Sequence, residues 1–85
     1  MGLWSTIWRL SRMEDVRQIL AVNLRLARLG QGMSQEDLAS VAGIDRTYVS
    51  GIERGVRNPT ITVLARFADA LKTTSAQLLT KGAFN

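Results

Sequence analysis

Residues 34–55 read SQEDLASVAGIDRTYVSGIERG, and this stretch decides the fold. Ser34 offers a side-chain oxygen where a helix N-cap needs an acceptor, and Glu36 and Asp37 place negative charge in the first turn that follows. Leu38, Ala39, Val41 and Ala42 supply the apolar contacts of a short helix. Gly43 stands where helices commonly end in the left-handed conformation, which a residue without Cβ adopts without strain. Asp45 then caps another short helix running through Thr47, Tyr48, Val49 and Ile52 until Gly55 stops it. Val49 and Ile52 are expected to face the core.

Upstream, Met13 to Leu29 contains no Pro or Gly and is dominated by helix formers, which predicts one helix of about four turns ended by Gly30 and Gly32. Val16, Leu20, Leu24 and Ala27 lie on one face; Ile19, Val22, Leu26 and Leu29 form a second apolar stripe, so the helix should be covered on two sides. Downstream, Pro59 disfavours helix at Asn58, and Thr60 caps a helix whose Val63, Leu64, Phe67, Ala68 and Leu71 recur at buried-face spacing. Thr74 and Gln77 match the capping-box spacing, predicting a last short helix over 75–79, with 81–85 as a frayed tail. No alternating strand pattern and no internal repeat occurs. The fold expected is all-α, a compact five-helix bundle. Its Ser34–Ala42 and Arg46–Arg54 helices have the layout of a helix-turn-helix, a layout also found in bundles that never touch nucleic acid.

At 85 residues the chain is long enough for one small domain, expected over 13–80 behind an extension at 1–12. It contains no Cys and no His, which removes the usual zinc and haem ligands, the thiol nucleophile and the commonest general acid or base. With its carboxylates scattered and no nucleophile beside a base, an enzyme is not expected, nor a metal or cofactor. Eleven basic against seven acidic residues give a net charge of +4. Nine of the eleven are arginines, whose planar fork suits phosphate and guanine, although a solvated basic surface would carry the same charge. No sustained apolar run suggests a signal peptide or membrane span, so a soluble, cytoplasmic protein is expected.

The run Ser34-Gln35-Glu36-Asp37-Leu38-Ala39, then Ala42-Gly43-Ile44, Tyr48 through Gly55, and Asn58-Pro59-Thr60 resembles the Cro and XRE family of phage and bacterial repressors. Asp45-Arg46-Thr47-Tyr48 leading into Ser50-Gly51-Ile52-Glu53-Arg54 looks most like the controller proteins of restriction-modification systems, which are single-domain dimeric regulators. The resemblance covers Val16 to Leu79. It implies a bundle of the lambda-repressor-like type and a bacterial transcription regulator that binds double-stranded operator DNA as a homodimer on a pseudo-palindromic site, with helix 45–55 in the major groove.

The resemblance also implies roles for individual residues. Arg46 would donate two hydrogen bonds to guanine, and Thr47 would either hydrogen-bond a base or press its methyl on a thymine methyl. Tyr48 is open between packing on the turn, a phosphate and a base step. Ser50 would add a contact one turn on, while Gly51 would either leave that turn bare or merely avoid a clash. Gln35 would meet a phosphate beside helix amides, and Arg54, Arg57 and Asn58 would clamp a second one. Arg28 and Glu53 would form an ion pair linking the first helix to the recognition helix.

In the run Leu3, Trp4, Ile7, Trp8 the spacing puts both tryptophans and the isoleucine on one face of a short helix, an arm that is expected to fold back over the second stripe of the first helix. A partner contact and a membrane-surface segment are the rivals, and Met13 would itself serve as a domain start. Leu78, Leu79 and Phe84 are candidates for the dimer interface or for burial within one subunit. Two other functions compete with the regulator: an antitoxin that also binds a toxin, and a helical module that binds protein through the N-terminal arm.

Overall fold

The computed structural model describes the backbone of residues 2–85 and the side chains of residues 16–85. Among these residues the chain forms five helices and no strand: α1 (Gly2–Gly30), α2 (Gln35–Ala42), α3 (Arg46–Glu53), α4 (Ile61–Ala70) and α5 (Ser75–Leu78).

Local chemistry sets the starts of the four short helices. The Ser34 hydroxyl accepts from the Asp37 amide and the Asp37 carboxylate accepts from the Ser34 amide, each at 2.9 Å, a closed capping box. The Ser34 amide, and after it the Ser34 hydroxyl, hold the Asp37 carboxyl below its ordinary range. Asp45, Thr60 and Thr74 cap α3, α4 and α5 in turn. Each such cap contributes about 1 kcal/mol, a large share for helices of one to three turns. At Thr74 only half of the expected box forms: its hydroxyl accepts from the Gln77 amide, and the exposed Gln77 side chain makes no return bond. Gly43 ends α2 at φ 70°, and the Ile44 amide reaches back to Ala39 O at 2.9 Å.

The helices bury one core built from Leu20 and Leu24 of α1, Leu38 of α2, Val49 and Ile52 of α3, Leu64 and Phe67 of α4, and Leu78 of α5. α1 packs on α3 and α5, while α2 packs on α3 and α4. Leu78 is therefore interior and not free for a dimer contact, while half-buried Phe84 packs on the same core and Leu79 remains 40% exposed. The tail is also more ordered than expected. Residues 81–84 form turns closed by bonds from Ala83 N to Thr80 O and from Asn85 N to Gly82 O.

The first helix departs most from the sequence reading. It begins at Gly2 rather than Met13, and one continuous helix has no turn on which residues 2–12 could double back. The packing of Trp4 and Trp8 lies outside the described side chains. On the second stripe Val22 and Leu29 are exposed at 41% and 52% while Ile19 and Leu26 are half-buried, and Val16 on the first stripe is exposed. The second stripe is thus covered only in part among the described residues.

Asn23 has a role that helical periodicity does not announce. It is buried on α1, and its Nδ2 donates to Leu78 O at 2.9 Å and Thr80 O at 2.8 Å. One side-chain amide thus answers carbonyls left open at the end of α5. It also fixes α5 to α1.

Candidate nucleic-acid interface

α3 is short, and three different attachments fix its position. Val49 and Ile52 plant its inner face in the core, at 0% and 1% exposure. Its beginning is capped by Asp45, whose Oδ1 accepts from the Thr47 amide at 2.8 Å and from the Thr47 hydroxyl at 2.6 Å. These two bonds hold the Asp45 carboxyl below its ordinary range, and the positive charge of Arg57 acts in the same direction.

The far end of α3 is anchored by Arg28 and Glu53. Arg28 Nε donates to Glu53 Oε2 at 2.8 Å and Nη2 to Oε1 at 3.0 Å, a bidentate pair whose side chains are only 10% and 5% exposed. Arg28 Nη1 also donates to Met33 O at 2.8 Å, and Gln35 Nε2 to Glu53 Oε1 at 3.2 Å. The bond to Glu53 raises the Arg28 pKa, so the guanidinium keeps its charge. One carboxylate thereby joins the end of α1, the start of α2 and the end of α3. Neither the Gln35 nor the Met33 contact was readable from sequence spacing.

Beyond Glu53 the chain turns through Arg54 and Gly55 and comes back on itself. The Val56 and Arg57 amides both donate to Gly51 O, at 2.9 and 3.2 Å. This return places the Arg57 side chain against Gly51, where an added Cβ would lie 2.7 Å from Arg57 Cγ and 2.8 Å from Cδ. The Arg57 guanidinium carbon then rests 5.4 Å from the centre of the Tyr48 ring, and the Tyr48 hydroxyl donates to Asn58 O at 3.3 Å. The second turn of α3 is therefore not bare. Gly51 is buried because an arginine from the following loop lies over it. A glycine inside a short helix was the available signal, since it often marks close approach by another part of the chain.

The remaining sequence-assigned residues fall around this core of contacts. Arg46 and Thr47 are exposed at the start of α3, Tyr48 and Ser50 are half-buried, and Arg54, Arg57 and Asn58 are exposed at its far end. Gln35 is half-buried against Glu53. Among the described residues, no group of His, Cys, Asp and Glu is placed to hold a metal ion, and no helix is long and apolar enough to cross a membrane.

Comparison with known proteins matches this geometry to a family. The helix-turn-helix family profile covers residues 24–78. A hypothetical transcription factor of Neisseria meningitidis is 46% identical over 66 residues, which are 78% of this chain and 62% of the relative; the chain thus spans less than two thirds of that protein's length. The crystal structure of the Neisseria factor superimposes with a TM-score of 0.76 at 43% identity, covering 79% of this chain and 77% of that one. The control protein C.SmaI of Serratia marcescens is 43% identical over 79% of this chain and 80% of its own. The restriction-modification controller protein C.Esp1396I, solved as a tetramer with its natural 35 base-pair operator, matches with a TM-score of 0.68 at 38% identity over 74% of this chain and 83% of that one. On these matches the chain belongs to the helix-turn-helix family of Cro/XRE type, alongside restriction-modification controller proteins.

Proposed function

We propose that this chain is a sequence-specific transcription regulator that binds operator DNA as a homodimer, without catalysis, in the bacterial cytoplasm. The observation that carries the reading is the mounting of α3. Its inner face is buried, its far end is tied through Glu53, and its first turn presents Arg46 and Thr47 to solvent. A helix held in this way can enter a major groove without losing its orientation. The capture of C.Esp1396I on its operator supports the same reading.

In this arrangement Arg46 reads guanine O6 and N7 with two hydrogen bonds. Tyr48 and Ser50 line the groove behind it. Arg54, Arg57 and Asn58 hold backbone phosphates at one end of α3. Gln35 keeps one amide proton on Glu53 and offers the other to a phosphate beside the first amides of α2. Leu79, exposed just past the end of α5, belongs to the dimer contact. No observation favours an antitoxin role.

Selection of bound sequences from a random DNA pool tests the proposal. A pseudo-palindrome with half-sites about 34 Å apart is expected. Arg46→Ala should lose preference at one base per half-site, whereas uniform weakening would make Arg46 a phosphate contact. Binding should also weaken steeply with added salt. No enriched sequence, with binding indifferent to salt, would sink the reading.

A further inference from the structure

Asp45 and Thr47 are usually described by what they do for the helix, but their bond also limits what Thr47 can show to a ligand. The Thr47 hydroxyl lies 2.6 Å from Asp45 Oδ1, and the same oxygen takes the Thr47 amide at 2.8 Å. An ionised carboxylate accepts and cannot donate, so the single hydroxyl proton of Thr47 must point at Asp45. The carboxyl stays ionised well into acid, because these bonds and the charge of Arg57 lower its pKa.

The bond also fixes the rotamer. A β-branched side chain has two heavy atoms on Cβ; with the oxygen held toward Asp45, the methyl is confined to another staggered position. Thr47 is exposed. The part of it left for a partner is an immobilised methyl group together with a hydroxyl oxygen that has no proton to give.

Resting on the major-groove reading of α3, we propose that Thr47 is a specificity residue that reads the 5-methyl group of thymine through its own methyl, with Asp45 as the residue that positions it. Of the three modes open to a threonine in a groove, donation to a base acceptor is closed by Asp45, which leaves acceptance from a base amino group and contact through the methyl. The apolar one needs no rearrangement of the cap. The cost of ordering the side chain has already been met in the free protein.

The test uses the selected operator and the full-length chain. At the position next to the Arg46 contact, thymine replaced by uracil should weaken wild-type binding by about fourfold per half-site, the scale of one buried methyl. Thr47→Val keeps a methyl and removes the hydroxyl, and should retain the thymine preference. Thr47→Ser keeps the hydroxyl and removes the methyl, and should bind the thymine and uracil operators alike. The opposite pattern, with the preference lost in Thr47→Val and kept in Thr47→Ser, overturns the proposal in favour of the hydroxyl oxygen. Equal binding of both operators by wild type overturns it as well. Thermal melting of each variant separates these outcomes from loss of fold. Failure of wild type to select any operator would defeat the DNA-binding reading itself, whereas failure of the uracil comparison alone defeats only the role of Thr47.

Discussion

Glu53, at the end of α3, receives two bonds from Arg28 and one from Gln35, so the orientation of the recognition helix depends on a carboxylate that is almost out of water. Removing one partner leaves the other charged and unanswered. Glu53→Ala should cost about 3 to 5 kcal/mol, lowering the melting midpoint by roughly 12 °C or more. Arg28→Met combined with Glu53→Leu should cost much less than the two single changes added together. Additive effects in chemical denaturation would show that the pair is not coupled.

Asn23 offers a second stability test, independent of DNA. Asn23→Leu keeps a side chain of similar length at this buried position but removes the donor from Leu78 O and Thr80 O. A loss of about 1 to 3 kcal/mol is expected, with faster amide exchange concentrated in α5. A variant as stable as wild type would show that water or another group satisfies those carbonyls.

Gly51→Ala should separate stability from binding. Alanine is better than glycine within a helix by about 1 kcal/mol, and the Arg57 side chain in its way is exposed and can swing aside. The melting temperature should hold or rise. Affinity for operator should change, because Arg57 would leave its place beside Tyr48, and the salt dependence should fall by about one phosphate contact. Unchanged affinity and salt slope would mean that this placement of Arg57 is irrelevant to DNA.

Acid should weaken the fold through Asp37 and Asp45. Both carboxyls have folded pKa values below their unfolded ones, so their contribution is complete above about pH 4 and disappears as pH falls through the lower, folded values. Asp37→Asn with Asp45→Asn should flatten the stability profile in that acid range and leave its shape near neutrality alone. An equally steep acid limb in the double variant would assign the transition to other groups.

The parts of this molecule that could be read in advance are those whose causes are local. Ser34, Asp45 and Thr60 announce helix starts because a cap needs only a side-chain oxygen and amides two or three residues on, and Gly43 announces an end for an equally short-range reason. Val49, Ile52 and Phe67 follow from spacing. Arg28 and Glu53 were paired by family resemblance, since nothing in the intervening residues ties them together. Asn23 resembled any polar residue on a helix, because its partners lie 55 and 57 positions away. Gly51 reads equally as a bare turn or as the avoidance of a clash, and the neighbour that decides between them is a side chain six residues later. The second stripe of α1 was legible as apolar, but periodicity says that a face is greasy without saying what covers it.

The bond from Asn23 to the end of α5 also bears on the order in which the chain can be completed. A helix of four residues has no stability of its own, and this one is finished by a donor supplied early in the sequence. During synthesis the first three helices can be present while that amide still faces water. Only when Leu78 and Thr80 have emerged does it acquire its acceptors. Nascent chains stopped before Thr80 should therefore remain protease-sensitive around Asn23 as well as at their growing end.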